Sequence, residues 1–139
     1  MRKRRRRCED DAERIVGEPL LALGFTEVEG EWDGWFTHLR YEKDWLRVQI
    51  ELDYREYIAD VFLLPAGGDA TRLKGHYLHT IAIRTGLLDP PPPSKKPPER
   101  LPTGELNVAQ DLRKAAELIP LLVRMLEMGP EILEKPSGA

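Results

Sequence analysis

The chain has 139 residues, of which 41% are hydrophobic and 32% are charged, and its formal net charge is −3. This length and composition are typical of one soluble globular domain. No apolar run approaches the ~20 residues of a membrane span, and no apolar stretch follows the basic N-terminus as in a secretory signal. Cys8 is the single cysteine, which excludes internal disulfides, and we expect a cytoplasmic bacterial protein.

The charge is distributed unevenly along the chain. Six of the 21 basic residues directly follow Met1, whereas the chain as a whole holds 24 acidic residues. The six are Arg2, Lys3, Arg4, Arg5, Arg6 and Arg7. Residues 1–8 are predicted to form a disordered basic tail, suited to contacting nucleic-acid phosphates. The remaining body is strongly acidic and favours basic partners.

The first predicted element is a helix from Glu9 to Leu23. Apolar side chains recur through this segment at helical spacing, and Gly24 stands where such a helix would end. Pro19 removes one backbone hydrogen bond, so we expect the helix to kink or to restart there.

Residues 25–64 predict a four-stranded antiparallel meander. Aromatic and β-branched residues are frequent in this segment, and turn signals recur at regular spacing. The predicted two-residue turns are Asp33-Gly34, Lys43-Asp44 and Tyr54-Arg55. Pairing outward from these turns makes Val28 face Leu39, Leu39 face Val48, and Val48 face Val61.

This register gives the sheet two unlike faces, because successive side chains of a strand alternate between them. The core face would hold Val28, Trp32, Trp35, Leu39, Tyr41, Leu46, Val48, Ile50, Leu52, Tyr57, Ala59, Val61 and Leu63. The opposite, open face would hold Glu27, Glu29, Glu31, Phe36, His38, Arg40, Arg47, Gln49, Glu51, Asp53, Ile58, Asp60, Phe62 and Leu64. A one-residue slip in any hairpin would mix the two sets, which is the argument for this register.

Two short segments follow the meander. Residues 75–85 predict a short helix from their apolar spacing, with a strand as the alternative. Residues 89–102 are rich in proline and predict an extended, semi-rigid linker.

The segment 107–128 predicts the longest helix. Asn107 and Gln110 resemble a capping box at its start, and Pro120 should kink it. Residues 130–139 are expected to be a frayed tail, so that residues 9–129 form a single domain. The predicted fold class is α+β, with a four-stranded antiparallel meander and helices packed on one of its faces.

No catalytic or cofactor motif stands out. His76 and His79 would share a helix face, but zinc takes three or four ligands, and no cysteine or suitably spaced acid is near. Glu51, Asp53 and Asp60 would bring carboxylates together, as acid–base chemistry requires, but no enclosing pocket is indicated. We therefore expect a non-enzymatic protein without metal or cofactor.

The open face is the predicted protein-binding site. Carboxylates outnumber cations on it, and Trp45 is expected there as an aromatic anchor at a strand start. The predicted contact residues are Glu29, Phe36, His38, Trp45, Glu51, Asp60 and Phe62. Exposed apolar side chains on this face, Phe36, Ile58 and Phe62, would equally suit a homodimer interface.

One segment of the chain also resembles a known class of proteins. The resemblance lies in Leu23-Gly24-Phe25, in the strand 46–50, and in Asp53-Tyr54-Arg55-Glu56, within an acidic meander between helices. Small immunity and immunity-like proteins of bacterial polymorphic-toxin loci show a similar pattern. The resemblance implies a protein that neutralises a toxin by binding its active site or an exosite, without catalysis. An acidic sheet face would then complement a basic nuclease.

The sequence thus supports three hypotheses. In the first, the chain is a protein-binding module of the immunity type that binds a basic protein and no membrane. The second is a nucleic-acid-associated protein anchored by residues 2–7. The third is an enzyme or small-ligand protein that uses the open-face carboxylates.

Overall fold

The computed structural model describes residues 7–32, 34–68, 76–93 and 101–134. Four strands form one antiparallel sheet in chain order: β1 (Thr26–Trp32), β2 (Phe36–Lys43), β3 (Leu46–Asp53) and β4 (Ile58–Pro65). The α-helices are α1 (Arg7–Ala12), α2 (Glu18–Ala22), α3 (Leu78–Arg84), α4 (Gly104–Ala116) and α5 (Leu122–Met128). The predicted α+β meander is confirmed. None of the described helices is long and apolar enough to cross a membrane.

The first helical segment begins at Arg7, inside the predicted tail, and its Cys8 is buried. A π-helical turn, Glu13–Gly17, joins α1 to α2, and the Glu18 N–H donates to the Glu13 carbonyl. Pro19 has no N–H, so the regular ladder cannot continue past it. The predicted interruption at Pro19 therefore takes the form of a wider turn just before it. The helix ends before Gly24, whose φ is 97°, as a glycine C′ residue allows.

The C-terminal helical segment begins earlier and is more divided than predicted. Thr103 is the N-cap of α4 and accepts a hydrogen bond from the Leu106 N–H. Asn107 is not a cap; its buried side chain bonds the backbone N–H and carbonyl of Leu101. Pro120 lies in a 3₁₀ turn between α4 and α5, which replaces the predicted kink.

A further 3₁₀ turn, Pro130–Leu133, follows α5 inside the predicted tail, and its Leu133 is buried. Residues 135–139 lie outside the described residues, as do residues 94–100 of the proline-rich linker and Gly75 of the predicted short helix. The helix α3 occupies most of that predicted segment.

Helices and one sheet face share a single hydrophobic core. The sheet contributes Leu39, Tyr41, Leu46, Val48, Ile50, Leu52, Ala59, Val61 and Leu63, all buried. Leu20 of α2, Ile81 of α3 and Leu112 of α4 pack into the same cluster. The apolar side chains of one sheet face are buried against the helices. Because side chains alternate along a strand, the residues between them lie on the opposite face of the sheet.

The second and third hairpins pair two residues away from the predicted register. Lys43 pairs with Leu46, which places the turn at Asp44 and Trp45, and Asp53 pairs with Ile58 across a longer turn. Because both shifts are of two residues, every side chain of β3 and β4 stays on its predicted face.

The first hairpin differs from the predicted register by one residue at residues 26–28 and by two at Glu31 and Trp32, so residues 26–28 change faces while Glu31 and Trp32 keep theirs. Val28 pairs with Arg40 rather than Leu39, and Trp32 pairs with Thr37, with an irregularity between Val28 and Glu31. A β-carbon on Gly30 would lie 2.4 Å from the His38 carbonyl oxygen. Glycine therefore permits the close approach and the bulge. Of the predicted Asp33-Gly34 turn, only Gly34 is among the described residues, and Asp33 lies outside them.

Candidate functional site

Four polar residues form a row across the sheet, one on each strand. Glu31 pairs with His38, His38 with Glu51, and Glu51 with Asp60. The His38 Nε2 lies 3.0 Å from the Glu51 Oε1, and the His38 Nδ1 lies 3.9 Å from the Glu31 Oε2. The row brings three of the predicted site residues together, namely His38, Glu51 and Asp60.

The face that carries this row is largely buried, contrary to the prediction of an open surface. Arg40 Nε donates to Gln49 Oε1 at 2.8 Å, and its Nη2 donates to Glu31 Oε1 at 3.1 Å. The Phe62 ring packs 4.7 Å from the ring of Tyr77. The buried side chains of this face are Arg40, Gln49, Glu51, Asp53, Phe62 and Leu64. Long polar side chains that bond across strands exclude water here, so most of this face is unsuited to docking.

The carboxylates of this face have structural partners. Asp53 Oδ1 accepts the backbone N–H groups of Arg55 and Glu56 at 2.9 and 3.3 Å, which holds the β3–β4 turn. Glu51 bonds His38. Within the described part of the chain, no group of three or more His, Cys, Asp or Glu side chains is placed to hold a metal ion. The arrangement on this face is therefore suited to fixing the sheet.

Trp45 does not lie on the predicted face. It sits in the β2–β3 turn, half-buried against the core, and its indole N–H donates to the Leu126 carbonyl at 3.2 Å. This turn is at the opposite end of the sheet from the β1–β2 hairpin. The predicted placement of Trp45 on the open face is wrong, because its ring and its N–H join the sheet to α5. Its role as a contact anchor stays a prediction.

The two histidines considered for a metal site do not share a helix face. His76 precedes α3, and its Nδ1 lies 3.1 Å from the Leu63 carbonyl. His79 is exposed on the first turn of α3, with its ring 5.8 Å from that of Tyr77.

The strand β1 carries the most exposed charge of the sheet. Its glutamates, here called the acidic edge, are Glu27, Glu29 and Glu31. The cations of β2 and β3 turn inward: Arg40 is buried, Lys43 Nζ donates to the Leu23 carbonyl, and Arg47 Nε donates to Glu42. Because these cations are engaged within the fold, the edge strand presents mainly negative charge.

Two tryptophans lie next to the acidic edge, at the tip of the β1–β2 hairpin. Trp32 is 44% exposed and Trp35 is 61% exposed. The Trp35 carbonyl accepts the Tyr54 N–H at 2.9 Å, which ties the hairpin to the β3–β4 turn. Next to it, the half-buried Phe36 ring lies 4.8 Å from the Arg55 guanidinium. The rings are therefore presented from an anchored backbone.

This tryptophan pair, Trp32 and Trp35, was predicted to be core, and that prediction is wrong. Trp32 still pairs with Thr37 on the core side of β2, but it is the last residue of β1, and Trp35 directly precedes β2. Both rings therefore lie at the hairpin tip, where they are exposed. Gly30 inside the strand pattern was the available signal for the bulge itself, because an isolated glycine in a strand indicates one. Tyr57 was also predicted to be core and is 38% exposed at the β3–β4 turn.

Of the N-terminal basic residues, only Arg7 is among the described residues. Its side chain is 73% exposed and lies 4.0 Å from Asp11 one turn along α1. Arg2, Lys3, Arg4, Arg5 and Arg6 lie outside the described residues, and their predicted contact with nucleic acid stays a prediction.

Comparisons with protein-family models, with curated proteins and with solved structures found no match for this chain.

The half-buried carboxylate of Glu42 on β2 should make the stability of the fold depend on pH. The Gly67 N–H and the Arg47 guanidinium hold the pKa of Glu42 below its ordinary value of 4.5. A depressed carboxylate pKa adds stability above the unfolded pKa, and this stability is lost as pH falls through the folded pKa. We expect Glu42→Gln to destabilise the protein at neutral pH, and the difference from wild type to shrink steadily below about pH 5. Urea unfolding of both proteins between neutral and acid pH measures this. A difference that stays constant with pH would contradict it.

Proposed function

We propose that this protein is a non-enzymatic protein-binding module that binds a basic protein through the acidic edge and the tryptophan pair. The observation that carries the proposal is the position of Trp32 and Trp35, exposed at the anchored tip of a hairpin whose strand β1 carries three exposed glutamates. Tryptophan is enriched among the residues that dominate binding energy at protein interfaces. Exposed aromatic area of this kind calls for a partner surface.

The charge of the site sets the charge of the partner. Arg40, Lys43 and Arg47 are bonded within the fold, and the exposed Arg55 lies 3.8 Å from Asp53. The acidic edge therefore gives the strand β1 a negative surface charge. Complementary charge around an interface accelerates association and discourages partners of the same sign. A second copy of this chain would oppose glutamate to glutamate along β1, so a basic partner fits better than an edge-to-edge homodimer.

A more specific form of this proposal is that the basic partner is a toxin. The resemblance to immunity proteins supports it, because such proteins bind a toxin without catalysis. The proposed binding surface is the β1 edge of the sheet together with the β1–β2 hairpin. It differs from the surface predicted from the sequence, which was the centre of the sheet face.

Binding tests should separate the aromatic anchors from the charge. We expect Trp35→Ala to weaken the affinity for the protein captured from lysate about tenfold, mainly through faster dissociation. Reversing Glu27 and Glu29 to lysine should slow association and abolish most of the salt dependence. Glu31 stays unchanged in this variant because it bonds Arg40. The measurement is capture from nuclease-treated lysate at low and moderate salt, then surface plasmon resonance with the captured protein.

The matched control reverses Glu127 and Glu134 to lysine. Both are exposed and lie in the C-terminal part of the chain, and this variant has the same net charge as the β1 variant. We expect it to bind like wild type. Equal weakening by the two charge-reversed variants, or full binding by Trp35→Ala, would sink the proposed site.

The nucleic-acid alternative rests on residues 2–7 and has its own test. Arg7 belongs to α1, so the deletion should end at Arg6. If this alternative holds, binding to duplex DNA falls steeply with salt and disappears in the truncated chain. Salt-independent or unchanged DNA binding after the deletion would count against it.

A further inference from the structure

A cleft lies on the far side of the sheet from the acidic edge. Its walls are the outer edge of β4, the helix α3 with the segment that follows it, and α4, and its volume is about 680 Å³. Clefts that bind small molecules typically fall between about 300 and 1,000 Å³. The cleft is therefore large enough to enclose a small organic molecule.

The floor of the cleft is apolar. Val61 of β4, Leu78 and Ile83 of α3, and Leu118 beyond α4 line it. Leu78 and Val61 are buried in the core, which gives the floor a rigid backing. A ligand with an apolar body would gain free energy by displacing water from these side chains.

The polar lining is mostly acidic. Asp60, Asp89, Asp111 and Glu117 line the cleft, while Lys114 is the single lysine or arginine among the described lining residues. Asp111 is fixed in place because its Oδ2 accepts the Ala59 N–H of the edge strand at 3.2 Å. Asp89 and Glu117 are exposed and carry charge at the rim. A positively charged group is favoured beside this rim, and a carboxylate is disfavoured.

From this combination we propose that the cleft binds a small amphiphilic amine, with its apolar body on the Val61 and Ile83 floor and its ammonium group beside Asp89 and Glu117. A metal ion alone does not fit, because the described residues hold no suitable ligand group. This site is independent of the proposed protein-binding function, since β4 and β1 are the two opposite edges of the sheet.

Three probes with one chain length and different head groups test this: octylamine, octanol and octanoate. Titration calorimetry with the full chain should show octylamine binding about tenfold tighter than octanol, and octanoate binding weakest. The double variant Asp89→Asn, Glu117→Gln should bring octylamine to within about threefold of octanol. Both positions are exposed, so these substitutions leave the fold intact.

A second variant tests whether octylamine binds inside the cleft. Ala115 lines the cleft on α4 and is half-buried, so Ala115→Phe should place a bulky ring inside the cleft and abolish octylamine binding, with circular dichroism confirming the fold. The proposal is overturned if the three probes bind equally, if octanoate binds tightest, if none binds, or if the folded Ala115→Phe variant still binds octylamine.

Discussion

Replacing Leu112 by alanine is expected to lower the free energy of unfolding by about 2–5 kcal/mol. Leu112 lies on α4 with its side chain 0% exposed in the core cluster. Its truncation removes apolar contacts and leaves a cavity that rigid neighbours on the sheet cannot collapse into. Urea denaturation followed by circular dichroism measures the loss as a lower midpoint with an unchanged slope.

The same helix provides the control for this prediction. Leu106 is also a leucine of α4, but it is 39% exposed. Leu106→Ala should cost less than about 1 kcal/mol, because little area returns to water and no enclosed cavity forms. Similar losses at the two positions would mean that α4 does not pack on the sheet as described.

Replacing Arg40 by alanine is expected to cost about 2–4 kcal/mol. Its guanidinium donates to the buried Gln49, to Glu31 and, through Nη1, to the Glu29 carbonyl at 3.4 Å. Without it, the Gln49 amide oxygen is buried and loses this donor. The Glu31 pair adds little, because the Glu31 side chain is 66% exposed and water screens the attraction.

Two substitutions at Arg40 separate the causes. Arg40→Met keeps the apolar stem and loses the hydrogen bonds, whereas Arg40→Lys keeps the charge and loses the planar fork. We expect the lysine variant to lose most of the stability lost by alanine, because one ammonium cannot reach three acceptors in fixed directions. The exposed Arg124, 3.9 Å from Glu127, is the control, and its alanine variant should stay within about 0.5 kcal/mol of wild type. An Arg40→Ala variant as stable as wild type would show that this hydrogen-bond network adds nothing to the free energy of unfolding.

The candidate site was only partly predictable from the sequence. His38, Glu51 and Asp60 were placed on one face correctly, because the register shifts in the later hairpins were of two residues. Trp32 and Trp35 were assigned to the core by alternation, but they flank the β1–β2 turn and are exposed at the hairpin tip. The bulge at Gly30 reverses the sides of residues 26–28. Alternation along a strand is local, but the residue at which a bulge falls depends on how the partner strand packs.

The sequence by itself determined the element order, the antiparallel meander and the apolar side of β3 and β4, because these follow from local periodicity. Only the tertiary structure decided which polar side chains reach water. Arg40 and Phe62 are buried and contact Gln49 and Tyr77, which lie on other segments of the fold. The Trp45 N–H bonds the Leu126 carbonyl of α5. Burial of a long side chain depends on its neighbours in space, and periodicity within one strand carries no information about them.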